Sequence, residues 1–359
     1  MSTACDDDVL LHVAHRPDHL IGFMITVDKP AKPSALRRRS GPSSLGLLDP
    51  LSLEILHNAL NLLDFRSLSR LSRVSRKGRV TVESLPAYRD LMKYAPDTLK
   101  ALGQSNLLRH HSADKLHAVL RSKACVACER FGPFLFLPTC ERCCYMCLEY
   151  NHSFWVIPIP RAQTIYSLEA RQLKKLAVMK GIPGVYKEQN INKSWRPKLV
   201  SVLAVVQLAR ANGTMPIVDK SIITPEMREW DRMPNWMTCD YYAAIKALEP
   251  PLEPLTGHPS WLLPEDGLER EPDEFSGMAS IQFPCLLPDN TLEHGLWCKG
   301  CEWMLVQFKA DELPTQGEED RAEGTSFSNR SMRAMSKSEF LTHARKCYGA
   351  GQILSALDN

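Results

Sequence analysis

At 359 residues the chain has room for about two domains of ordinary size. Hydrophobic residues are 44% and charged residues 24%, which suits a folded core and excludes a wholly disordered chain. With 44 Lys+Arg against 41 Asp+Glu the net charge is only +3, so no global field draws nucleic acid and any basic effect must be local.

Residues 1–47 read as a disordered or weakly ordered N-terminal segment. Asp6, Asp7 and Asp8 do not suit the basic start of a secretory signal. The apolar run from Leu20 to Val27 is too short to span a membrane, and His19 to Val27 is expected to form one strand. Pro30, Pro33, Pro42 and the run Arg37-Arg38-Arg39-Ser40 read as a flexible lead-in.

From Asp49 to Arg79 the leucines fall at helical spacing. Leu53, Leu56, Leu60 and Leu63 make one stripe, and Leu68, Leu71 and Val74 a second. Asp49 is expected to cap the first helix, with Pro50 at its first position, and Asp64 to cap the second; a third would follow past Val80. Isolated helices this short are marginal in water, so they must lean on the rest of the chain or on a partner. After Asp64 the stretch has six basic residues, Arg66 to Arg79, and no acidic one.

Residues 80–122 carry short helical patterns broken by turn signals, with Leu116, Val119 and Leu120 expected to face inward. His110, His111 and His117 have no Cys or carboxylate at ligand spacing and read as surface or core residues. The run CVACERFGPFLFLPTCERCCYMC follows. Cys125 and Cys128 form one knuckle, bracketing an aromatic hairpin-like stretch from Phe131 to Leu137. The second pair is open: Cys140 with Cys143, or Cys144 with Cys147. Cys144 and Cys147 are preferred, because a helix can start at Leu148; Cys140 stays as an alternative ligand. Paired thiolates on tight turns suit tetrahedral Zn²⁺. Twelve cysteines clustered as CxxC favour reduced, metal-bound thiols in an intracellular compartment, cytoplasm or nucleus, over disulfides.

Further on, Phe154-Trp155-Val156-Ile157 ahead of Pro158 reads as a strand end, and Ser167 as the cap of a helix through Leu168, Leu173, Leu176 and Val178. Pro197 to Ala211 reads as a buried helix stopped by Asn212-Gly213. Residues 249–275 form an acidic, proline-rich loop that includes Trp261. Cys298 and Cys301 then pair across a long insert with His343 and Cys347. The insert has an acidic part from Asp311 to Glu323. Ser336 and Glu339 spell a capping box, with Met335 and Phe340 as its staple. That places His343 and Cys347 on one helical face, with Gly349 as the stop, and a ββα finger layout is expected.

Asp49–Arg79 resembles an F-box. Leu51, Leu53, Glu54, Ile55 and Leu56 match its opening theme; Leu60, Leu63, Asp64, Leu68, Leu71, Val74 and Ser75 continue it. Ser52 stands where the family mostly has proline, and Gly78 where it often has tryptophan. Residues 277–284, 295–301 and 131–147 are similar to F-box proteins of filamentous ascomycete fungi, so the resemblance covers most of residues 45–350.

The resemblance implies a non-catalytic substrate receptor of a Skp–cullin–F-box ubiquitin ligase. Leu51, Leu53, Ile55, Leu56, Leu60, Leu63, Leu68 and Leu71 would bind a Skp-type adaptor, and through it a cullin, while the remainder recruits an unassigned protein substrate. The expected fold is α+β and mainly helical: an F-box at 48–95, a helical bridge with the first zinc-knuckle module at 96–248, the loop at 249–275, and a Cys₂HisCys finger-like module at 276–351. Two structural Zn²⁺ ions are expected, and no membrane association. Nucleic-acid binding is the alternative, disfavoured by the acidic segments; a zinc enzyme has no HExxH, catalytic triad or phosphate loop to support it.

Overall fold

A computed structural model describes residues 5–28, 43–186, 189–191, 196–214, 275, 277–310 and 327–357. The acidic insert 311–323, Arg37-Arg38-Arg39, and the acidic proline-rich loop apart from Phe275 lie outside the described residues. The fold is α+β and mainly helical, with short strands.

Short amphipathic helices stack through the first third. They are α1 (Asp6–Val13), α2 (Asp18–Ile21), α3 (Leu53–Asn61), α4 (Phe65–Val74), α5 (Arg76–Ser84), α6 (Pro86–Tyr94), α7 (Pro96–Gln104) and α8 (Ala113–Arg121). Strand β1 (Ala14–His15) lies between α1 and α2. Serine and aspartate side chains start most of the later ones. Ser52 accepts from the Ile55 N–H, Asp64 from Ser67, Ser75 from Gly78 and Ser112 from Lys115. Asp49 therefore does not cap α3. It accepts the Leu45 N–H and pairs with Lys77 and Ser44, pinning the preceding loop onto α5. Lys77 at the first turn of α5 also donates its N–H to Ser43.

Strands β2 (Phe134–Phe136) and β3 (Glu141–Cys143) form an antiparallel hairpin, and β9 (Ser280–Gln282) adds to the other edge of β2. All three β2 residues are buried, as a central strand covered on both faces requires. Arg142 of β3 is buried too. Its guanidinium donates to the carbonyls of Val119, Gly132, Phe283 and Pro284, and lies 4.9 Å from the Phe283 ring centroid. This one side chain joins α8, the hairpin and the β9 region. A large core runs from Leu20 through the α3–α8 stack to this sheet.

A second small sheet, β4 (Val156–Pro158), β8 (Lys198–Ser201) and β5 (Met179–Lys180), packs with α10 (Ile159–Tyr166) and α12 (Val202–Asn212) around a separate core, and β6 (Gly184–Tyr186) and β7 (Gln189–Ile191) form an antiparallel hairpin between β5 and β8 in the chain. Three readings are corrected here. Ser167 ends α10 in the left-handed region, and Glu169 caps the short α11 (Ala170–Leu173) instead. Residues 198–201 are strand, and Ser201 caps the helix at Val202; Gly213 does stop it. His19 to Val27 is not one strand: it holds α2 and a single bridge from Ile25 to Ile281.

The N-terminal segment is also not an unstructured lead-in throughout. Val9 and Val13 of α1 are buried among C-terminal residues, and β1 pairs with β12 (Trp297–Cys298). Strands β10 (Cys285–Leu286) and β11 (Leu292–Glu293) form a hairpin before β12. Helices α13 (Lys299–Lys309), α14 (Phe327–Ser331), α15 (Lys337–Ala344) and α16 (Tyr348–Ser355) complete this C-terminal unit. Among the described residues, no helix is long and apolar enough to cross a membrane.

Candidate metal centres

Two groups of four side chains converge, with all ligand atoms of each group within 4.8 Å of one another. The first is Cys125, Cys128, Cys144 and Cys147. Cys125 and Cys128 sit on a tight turn. It is closed by the Cys125 N–H on the Arg130 carbonyl and the Glu129 N–H on the Cys125 carbonyl, with Glu129 at φ +60°. Cys144 caps α9 (Tyr145–Tyr150), its sulfur accepting the Cys147 N–H at 3.4 Å. The two knuckles meet at Cys128 and Cys144, with sulfurs 3.5 Å apart. Cys140 points elsewhere, its sulfur 3.8 Å from the Leu137 carbonyl, so the open choice resolves to Cys144 and Cys147.

The second group is Cys298, Cys301, His343 and Cys347. Cys298 ends β12 and Cys301 lies in the first turn of α13. The capping box at Ser336 and Glu339 does start α15, and His343 lies in its last turn. Cys347 caps the next helix, α16. The Cys301 sulfur is 3.2 Å from His343 Nε2 and 3.9 Å from the Cys347 sulfur, which is 3.8 Å from that of Cys298. The expected ββα layout is overturned. The knuckle spans a strand and a helix start, His343 and Cys347 belong to two successive helices, and Gly349 lies inside α16 rather than ending a helix.

A close helix crossing allows this geometry. A Cβ on Gly300 would stand 2.2 Å from the Ala350 nitrogen, and one on Gly349 2.1 Å from the Gly300 carbonyl oxygen. Without side chains at both positions, α13 and α16 touch backbone to backbone and bring Cys301 to Cys347.

The donors fit a single tetrahedral ion in each group. Sulfurs at about 2.3 Å from a common centre lie about 3.8 Å apart, and the observed separations cluster there. The mutual 4.8 Å limit suits one ion per group rather than donors spread over two ions. The cysteines are free thiols, and crowding polarises them. Hydrogen bonds from Cys128, Cys144 and Cys147 push the Cys125 thiol well below its ordinary range, and those from Cys298 and Cys301 do the same for Cys347, while the shared contacts and burial push Cys144, Cys147, Cys298 and Cys301 up. A ligand thiol must ionise, so each group already favours a thiolate.

The other singled-out residues divide. Leu56, Leu60 and Leu68 are buried in the chain's own core, with Leu71 packed against it. Leu51, Leu53, Ile55 and Leu63 face outward, at 41%, 58%, 57% and 38% exposure. Gly78 is buried, and Leu45 lies 3.6 Å from where its Cβ would be. His111 donates its Nε2–H to the Leu137 carbonyl oxygen, and His117 meets Asp90. The contribution of α1 to the second group was not read from the sequence; Asp6-Asp7-Asp8 ahead of Val9 and Val13 is the helix-start signal that carries it. No family model, no curated protein and no solved structure matches the chain.

Proposed function

We propose that the chain is a non-catalytic substrate receptor of a Skp–cullin–F-box ubiquitin ligase, with structural Zn²⁺ in both four-ligand groups. It would work inside the cell. The observation that carries the reading is the outer face of α3 and its flanks. Leu56 and Leu60 already fill the inner face, yet Leu51, Leu53, Ile55, Leu62 and Leu63 stay exposed beside them. Scattered exposed apolar residues are ordinary, whereas five within thirteen positions concentrate apolar surface on one short segment, which suits a protein partner. Ser52 supplies the helix start that a proline would otherwise favour. Four protein ligands leave no open position for a reacting water, which supports structural zinc.

The test is co-purification of the full, zinc-loaded chain with a Skp-type adaptor. A Leu53→Asp, Ile55→Asp variant should keep its fold and lose the adaptor, because both side chains face solvent. Leu56 and Leu60 are unsuitable, since charging buried positions would unfold the helix pair. Failure of the folded wild type to retain adaptor overturns the reading. One feature favours the alternative of polyanion binding: Arg66, Arg70 and Arg73 form an exposed stripe on α4. Salt-sensitive retention on nucleic acid, with no adaptor binding, would move that reading to the front.

A further inference from the structure

The second metal group is built into a unit that includes the far end of the chain. The two-residue strand β12 contains Cys298, and its antiparallel partner is β1, with Ala14 opposite Cys298 and His15 opposite Trp297. Val9 and Val13 of α1 are buried in the same cluster as Cys298, Cys301 and Cys347. Asp6 at the start of α1 meets Arg345, which lies between His343 and Cys347, at 2.6 Å. Three contacts from one ten-residue stretch therefore land on, or beside, three of the four ligands.

That stretch cannot hold itself. Helix α1 has 8 residues and no side-chain cap, and β1 has 2 residues. A helix that short is marginal alone in water. Immediately after it the chain changes allegiance. Leu20, Met24 and Ile25 are buried in the large core, Ile25 donates its N–H to Ser280, and Gly277 lets the Phe23 carbonyl approach so closely that a Cβ there would stand 2.1 Å away. Residues 20–25 are thus anchored independently of the second group.

We propose that residues 6–15 are a metal-dependent clip: a divalent ion at Cys298, Cys301, His343 and Cys347 holds them in place, and they in turn hold the ion. The inference rests on the reading of that group as a metal site, and is independent of the adaptor. Coupling between two binding events is reciprocal, so each should weaken when the other is lost. Removing the ion frees the loop between α15 and α16, which carries Arg345, and the β12 backbone that β1 pairs with. Removing the clip uncovers the apolar side of the ligand cluster and leaves β12 without its partner strand.

The experiment uses the full chain loaded with Zn²⁺ alone, beside a Val9→Asp, Val13→Asp variant and a Cys301→Ser variant. Zinc release to a chromogenic chelator is followed ion by ion, and amide exchange is followed segment by segment. The clip variant should release one ion at least tenfold faster and the other at the parent rate. In Cys301→Ser, residues 6–15 should lose protection while residues 20–25 and the β2–β3 hairpin keep theirs. Retained protection of the hairpin also shows that each variant is folded. Parent-rate release of both ions from the clip variant, or equal acceleration of both, overturns the proposal. So does an unchanged N-terminal segment in Cys301→Ser. Chain that takes up no second zinc at all would instead overturn the metal reading beneath it.

Discussion

At the scale of single residues, His111 and Arg142 show how buried polar groups hold this fold. His111 is buried, with Nε2 3.0 Å from the Leu137 carbonyl oxygen, so it donates while neutral. Burial, reinforced by the charge of Lys115, pushes its pKa down to about 4. The unfolded chain takes up that proton near pH 6.5, before the folded chain does. The neutral histidine therefore leaves stability whole above about pH 6.5, and stability falls as pH drops from there to about 4, by roughly 3 kcal/mol over the window. His111→Gln keeps a donor and removes the titration. Its denaturant-derived stability should fall less steeply than the parent's between those limits, and parallel curves would sink this assignment. Acid release of metal affects both proteins, so only the difference is read. Arg142 works differently: it cannot shed its charge near neutral pH, even though burial lowers its pKa to about 10. It is tolerated because four backbone carbonyls and an aromatic face surround it.

At the scale of elements, caps and crossings decide where helices stop and how close they come. The α4 cap at Asp64 and the α15 capping box were legible, because a short polar side chain ahead of an apolar run has one economical use. Asp49 misled because the cap of α3 is Ser52, three positions on, and Asp49 pairs with Lys77 instead. Gly349 read as a helix stop, and the sequence pattern gave Gly300 no role of its own. In the fold they are contact residues within helices. Gly300→Ala should cost about 1–3 kcal/mol or more, since the obstruction is backbone rather than a movable side chain. Thermal unfolding with parallel zinc analysis checks this: the C-terminal unit should melt earlier and one ion should be lost. A variant with parent melting and both ions would show that the helices can separate without consequence.

At the scale of the whole molecule, two groups of four Cys and His side chains that could each hold a metal ion stand where short helices supply little core. The first lies within the large core beside the β2–β3 hairpin, and the second organises the C-terminal unit with α1. Structural zinc in finger peptides is worth about 10–16 kcal/mol at neutral pH, so removal should unfold whatever the ion organises. The purified chain should carry two zinc ions by elemental analysis. Cys125→Ser and Cys301→Ser should each lower this to one, and Cys140→Ser should leave two. A Cys140→Ser chain with one ion would reassign the first centre.

The sequence by itself determined the mainly helical class, six of the eight clustered Cys and His side chains, and the starts of α4 and α15. Each depends on spacing within a few residues, where chemistry and periodicity leave little choice. Tertiary structure decided which cysteine pair completes the first group, because Cys140 sits in the turn between β2 and β3 and aims at the Leu137 carbonyl, while Cys144 follows β3 as the α9 cap and meets Cys128. It decided that Leu56 and Leu60 point inward while Leu53 and Ile55 point out, since periodicity marks an apolar stripe without saying what covers it. It also decided that residues 6–15 belong with Cys298 and Cys347. A two-residue strand and one turn of buried valines carry too little local pattern to announce a partner nearly three hundred positions away.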